Sequence, residues 1–172
     1  MFRDSPSPAN HRQLYTSAER ERRDATRWTL VQGVLAPAQF AVFLISVVLV
    51  VRYLSTGEGY AAATISVVIK TAALYLIMVT GAIWEKVVFG QYLFAPAFFW
   101  EDVFSFAVIA LHTAYLFALY AEMLAPAGLM WLALAAYATY VINAGQFILK
   151  LRMARLQMTD ADVSMAQPEA AQ

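Results

Sequence analysis

Cysteine is absent from this chain of 172 residues, and histidine occurs twice. The first absence excludes disulfides, iron–sulfur clusters and thiolate zinc sites, and two histidines are too few for a multi-histidine metal centre. Charge is scarce as well. Asp, Glu, Lys and Arg make up 14% of the residues and hydrophobic types 61%, whereas an average soluble domain is about a quarter charged. A water-soluble globule is therefore a poor first reading. No basic patch suited to nucleic acid is present, so nucleic acid is excluded as a partner.

What the chain has instead is length of apolar sequence. A membrane-spanning helix needs about 20 mostly apolar residues, and four stretches supply that: Trp28 to Leu54, Tyr60 to Trp84, Val103 to Met123 and Gly128 to Leu149. The first is preceded by 27 mainly polar residues and is too long for a cleaved signal peptide, so it is expected to stay in the mature protein. The links Ser55 to Gly59 and Glu122 to Ala127 are short and carry Gly or Pro, which joins antiparallel neighbours. The expected fold is an all-α integral membrane protein, a four-helix up-down-up-down bundle.

The placement of positive charge orients it. Arg3, Arg12, Arg20, Arg22, Arg23 and Arg27, with Lys86, Lys150, Arg152 and Arg155, fall on one side of the spans, and Arg52 alone on the other. Cytoplasmic segments keep the basic excess, so both termini and the Glu85 to Asp102 link are predicted to be cytoplasmic. The chain then divides into a basic N-tail (1–27), one four-helix domain (28–151) and a C-tail (152–172). Residues 1–13 and 157–172 read as disordered ends. Thr16 to Glu19, TSAE, fits a capping box opening a charged helix that could run into the first span. Ala110, Ala114 and Ala118 form a small-residue stripe suited to close helix packing.

The link between spans two and three is unusual. Residues Val87 to Phe99, VVFGQYLFAPAFF, are nearly as apolar as the spans, too short to cross, and interrupted by Gly90 and Pro96. Such a loop lies in the interface or dips back into the bundle. It is either an aromatic belt at headgroup level or the wall of a pocket for a flat apolar ligand.

Polar groups inside spans are costly, about 2.5–3.5 kcal/mol for a charge at the helix centre, and commonly signal use. Lys70 and His112 are each predicted near the midplane. Glu101 and His112 are eleven residues apart, about 20° from eclipsed at about 100° per residue, so with Ser105 and Val108 they share one helical face. Asp102 turns toward the face of Thr113. The plain alternatives are a structural Lys70 and His112, interhelical hydrogen bonds from Gln39, Asn143 and Gln146, a surface Glu85–Lys86 pair, and two acids placed to suit a helix N-terminus. Phe98, Phe99 and Trp100 give Glu101 an apolar setting that favours its neutral, acidic form.

The segments RRDATRWTLVQGVLAP (22–37), GYAAATISVVIKT (59–71), IWEKVVFGQYLFAPAFFWEDVFS (83–105) and ALHTAYL (110–116) closely resemble the 3-vinyl bacteriochlorophyllide hydratases of purple photosynthetic bacteria, over about residues 14–156. The resemblance implies hydration of the C3 vinyl group of chlorophyllide a or 3-vinyl bacteriochlorophyllide a to a 1-hydroxyethyl group, within bacteriochlorophyll a synthesis. It also implies an enzyme of the bacterial inner, intracytoplasmic membrane, with the bilayer and other enzymes of the pathway as partners. No cofactor is expected, since the substrate carries its own magnesium. Such chemistry needs an acid to protonate the vinyl terminus and a base to guide water. Glu101 is the expected acid, Asp102 or Glu85 the base, and His112 an alternative acid or an axial ligand to the substrate magnesium. Expected substrate contacts are Trp84, Phe98, Phe99 and Trp100 around the ring, with Arg27, Lys86 and Lys70 as cations, and Lys150 or Arg152 as further candidates for its carboxylate. Two rival functions stay open: a proton-coupled transporter with Lys70, His112 and Glu101 as relay, and a structural pigment-binding subunit. A bis-histidine haem is disfavoured because His11 lies in the tail.

Overall fold

The computed structural model describes residues 14–166, with side chains to Met153. The readings made for residues 1–13, with Arg3, His11 and Arg12, and for the Arg155 side chain lie outside the described residues.

Helix α1 (Ser17–Ala25) opens with the predicted capping box: the Glu19 amide donates to Thr16 Oγ1 at 3.3 Å, and the Thr16 amide donates to Glu19 Oε2 at 2.7 Å. It does not run on into the first span. Thr26 takes an extended backbone (φ −83°, ψ 138°), returns its own N–H to the Arg22 carbonyl, and accepts the Trp28 amide on its hydroxyl. One residue thus closes α1 and opens α2 (Arg27–Thr56). Gly57, at φ 75°, ends α2 in the left-handed region that glycine tolerates best. Helices α3 (Tyr60–Phe89), α4 (Phe99–Tyr120) and α5 (Pro126–Ala166) follow, α5 with proline at its first position, where no N–H is needed.

Four of these helices are long and apolar enough to cross a membrane, over Arg27–Thr56, Tyr60–Phe89, Phe99–Tyr120 and Pro126–Met153. Their side chains are distributed as lipid demands. Leu30, Ile45, Val48, Ile65, Val79, Phe117 and Trp131 point outward, whereas Ser46, Lys70, Thr71, Glu85, Glu101, Asp102, Ser105, His112 and Asn143 are buried. A soluble protein shows the reverse.

Partners across the helices rise in number on one element as they fall on the next, as antiparallel neighbours require. Gln32 meets Thr80, Gln39 meets Lys70 and Ser46 meets Ser66 between α2 and α3. Glu101 meets Lys150 and Ser105 meets Asn143 between α4 and α5. The two hairpins are joined by Phe43 on Tyr140 (ring centroids 4.9 Å), Ser46 on Tyr137 (2.5 Å) and Tyr75 on Thr113 (2.7 Å).

Two expected boundaries differ. The second span continues to Phe89 and the third begins at Phe99, so Glu85, Lys86, Glu101 and Asp102 are helical and the link shrinks to Gly90–Phe98. Gly90 (φ 85°) is the stop signal, and the apolar VVF before it extends the helix. Helix α5 also runs past residue 157 to Ala166, where a disordered tail was expected. No Gly or Pro occurs between Gly145 and Pro168 to end it.

Candidate active site

The short link folds back over the ends of α3 and α4 and brings three acids under it. Glu85, Glu101 and Asp102 are all buried. The two adjacent acids of α4 diverge, because consecutive helical residues are about 100° apart. Glu101 turns to α5, where Lys150 Nζ donates to its Oε2 at 2.6 Å. Asp102 turns to α3 and lies beside Glu85, since the consecutive amides of Phe94 and Ala95 reach one carboxyl each. Thr113, on the same side of α4, likewise reaches α3 through Tyr75, as the face shared by Asp102 and Thr113 predicted.

Neighbouring carboxyls in a buried setting are the arrangement in which one proton can be shared between two acids. The link supplies the rest of the polarity. Phe94 N–H donates to Asp102 Oδ2 at 2.6 Å, and Ala95 N–H donates to Glu85 Oε2 at 3.3 Å. Phe94 takes φ 60° to do this, a left-handed conformation costing about 1–3 kcal/mol for a non-glycine residue. The short bond to Asp102 offsets that cost and favours its carboxylate form.

Inward from the acids, the predicted seam on α4 is present: Glu101, Ser105, Val108 and His112 are all buried. Asn143 Nδ2 donates to Ser105 Oγ at 2.8 Å. At the far end, His112 Nδ1 meets the Val108 carbonyl at 2.8 Å, and its ring lies 5.8 Å from that of Tyr137. Lys70 is buried near it with no carboxylate in hydrogen-bonding range among the described residues. Its Nζ donates to Gln39 Oε1 at 2.8 Å and sits 3.6 Å from the Tyr140 ring centroid.

The aromatic residues predicted around a ligand separate into two groups. Phe98 is enclosed by Tyr15, Trp84, Phe89 and Phe147, at centroid distances of 5.7 to 6.3 Å. Burial pushes the Tyr15 phenol up, and the Arg23 guanidinium over its ring pulls it partly back. Trp84 Nε1 donates to Thr29, and Arg22 Nε to the Val88 carbonyl, so α1 is fastened to the same cluster. Phe99 and Trp100 face outward, Trp100 being 66% exposed. Lys86 folds onto the Gly90 carbonyl at 2.7 Å, and Arg27 is exposed at the start of α2. An apolar groove of about 450 Å³ lies between Leu30, Val31, Val34, Leu35, Leu76 and Thr80. Thr80 is about 140° round α3 from Glu85, so the groove and the carboxyl pair occupy different faces.

Two contributors escaped the sequence reading. The amides of Phe94 and Ala95 leave no residue-type signal. Lys150 was considered only as a cation for substrate, although its spacing of four from Gln146 and seven from Asn143 puts all three on one face of α5.

The model of the 2-vinyl bacteriochlorophyllide hydratase family matches residues 15–153. The chain is 75% identical over 154 residues to the 2-vinyl bacteriochlorophyllide hydratase of Cereibacter sphaeroides, covering 89% of this chain and 95% of that protein. It is 69% identical over 160 residues to the protein of the same name from Rhodobacter capsulatus, covering 92% of each. No solved structure matches.

Proposed function

Because the chain belongs to the 2-vinyl bacteriochlorophyllide hydratase family, its activity is hydration of a vinyl group on a bacteriochlorophyll precursor, and we propose that Glu85 and Asp102 carry the proton transfers. The 2-vinyl of the family name and the C3 vinyl of current numbering are the same substituent. The observation that supports this assignment is the buried carboxyl pair under two donated backbone amides.

Asp102 receives the shorter amide bond and is the carboxylate of the pair, so Glu85 holds the shared proton. Glu85 gives that proton to the terminal vinyl carbon. Positive charge develops on the carbon attached to the macrocycle, where the ring delocalises it. Water adds there, and the protonated alcohol returns a proton to the pair, which restores the starting state. Addition of water leaves the net redox state unchanged, so we assign no redox cofactor. Glu101 accepts from Lys150 Nζ at 2.6 Å, a pairing that suits charge stabilisation better than the acid role expected of it from sequence.

His112 is eleven residues from Glu101, about 16 Å along α4. That exceeds the distance from the metal of a tetrapyrrole to its own vinyl carbon. A substrate whose vinyl group meets the pair keeps its magnesium out of reach of His112, so we assign His112 to the core. The substrate carboxylate is assigned to the exposed cations Arg27, Lys86 or Arg152 at the same end of the bundle. We further assign the fold as up-down-up-down across the inner membrane of a photosynthetic bacterium, with both termini and the Gly90–Phe98 link cytoplasmic, on the strength of the basic excess at that end.

The test is conversion of 3-vinyl bacteriochlorophyllide or chlorophyllide a to a product 18 Da heavier, in membranes holding equal amounts of each variant. Glu85→Gln and Asp102→Asn are expected to lose a factor of about 10²–10⁴ in turnover. Near-native turnover in Glu85→Gln would overturn the acid assignment.

A further inference from the structure

We propose that Asn143 and Gln146 hold the water molecule that is added to the vinyl carbon. The inference rests on the acid–base reading of Glu85 and Asp102 given above. Both residues lie on α5, three apart, on the face turned to α4. Asn143 is 8% exposed, and its Nδ2 donates to Ser105 Oγ at 2.8 Å, which leaves Oδ1 as the free end of the amide. Asn143 Oδ1 and Gln146 Oε1 are both buried and accept no hydrogen bond from a described group.

Two buried carbonyl oxygens without a donor are costly, and a small donor between them is the usual remedy. No side chain among the described residues donates to either oxygen. Water is the smallest donor that could serve both oxygens, and Ser105 still has its own O–H to direct at it.

The position follows from the contacts on both helices. Ser105 is one turn of α4 beyond Glu101 and Asp102. Gln146 is one turn of α5 before Lys150, whose Nζ holds Glu101 Oε2. The two free acceptors thus lie about one helical turn inward of the Glu101–Lys150 pair, at the acid end of the bundle.

The chemistry suits the nucleophile. Two carboxamide oxygens each take one O–H of the water and leave its lone pair free for the cationic carbon. The carbon–oxygen bond forms as the water attacks. The resulting protonated alcohol then passes one proton to the carboxylate that was generated when Glu85 protonated the vinyl terminus. Carboxamides accept hydrogen bonds without taking a proton, so they do not compete with the acid.

The experiment separates water capture from protonation. Substrate is incubated in D₂O with membranes containing the wild-type chain, Asn143→Leu, Gln146→Met or Glu85→Gln, and both the hydrated product and the recovered substrate are weighed by mass spectrometry. In Asn143→Leu and Gln146→Met the cation forms but is poorly captured and loses a proton again. Hydration is expected to fall at least about tenfold while deuterium still enters the terminal vinyl carbon of recovered substrate at the wild-type rate or faster. Glu85→Gln is expected to lose hydration and exchange together. The water assignment is overturned if hydration in both α5 variants stays within about twofold of wild type, or if exchange falls in step with hydration, which is the mark of a structural role. Exchange undiminished in Glu85→Gln overturns the acid assignment and leaves the comparison between the α5 variants and wild type intact. Gln146→Met alone carries the test if Asn143→Leu does not accumulate in the membrane.

Discussion

Two polar clusters occupy the same inner face of the bundle, eleven residues apart on α4, and they are built on opposite plans. At the chain-termini end, three acids are served by two backbone amides and one lysine, with the Asn143–Ser105 bond one turn further in. At mid-bundle, Lys70 is satisfied by one amide oxygen and the face of Tyr140, while His112 Nδ1 bonds the carbonyl one turn back on its own helix. The first cluster keeps excess acceptors that need protons or donors from outside. The second contains no acid, and of the groups just named only His112 Nε2 is buried without a partner among the described residues. Burial of charge alone therefore does not distinguish chemistry from structure, but the balance of donors and acceptors does.

The contrast is sharpest in turnover. Asp102→Asn is expected to cut hydration by about a hundredfold or more, whereas His112→Phe keeps its rate within about threefold. Equal losses in the product assay would erase the distinction. Next in size is stability at the acid end. Lys150→Met leaves Glu101 buried without its cation and should lower unfolding stability in detergent by roughly 1–3 kcal/mol. Adding Glu101→Gln to it should recover most of that, and a thermal melt of the three proteins decides.

At mid-bundle the expected loss is smaller. Gln39→Leu strips Lys70 of its oxygen partner and costs about 1 kcal/mol, but Gln39→Leu combined with Lys70→Met should be neutral or stabilising, since an apolar replacement of a buried polar pair often is. A double variant less stable than the single one would mean that Lys70 has work to do. The smallest effect is expected at the outer face, where Thr113→Val removes the Tyr75 bond and shifts stability by about 0.6 kcal/mol.

Much of this is legible in the sequence. Four apolar stretches, the TSAE cap, the shared face of Glu101 and His112, and the turning of Asp102 toward that of Thr113 all follow from period and composition. The helix ends near the acids did not, because VVF and FWED are apolar or dipole-compatible enough to be helical and only Gly90 and Pro96 punctuate them. Nor did the pairing of Glu85 with Asp102, which depends on how α3 lies against α4. From sequence Glu101 looked the better acid for its aromatic neighbours, yet Phe99 and Trp100 point outward and Lys150 stands beside its carboxylate. Residue identity reports what a side chain can do, and the direction it faces is decided by tertiary packing.

The two amides of the Gly90–Phe98 link have a consequence for how such a site drifts. Every residue other than proline carries a peptide N–H, so the dipoles aimed at the acids persist through any substitution that the left-handed φ at position 94 and the full burial of position 95 allow. The counter-charge of the site is thus stored in a part of the chain that substitution scarcely touches and that no comparison of residue types would single out.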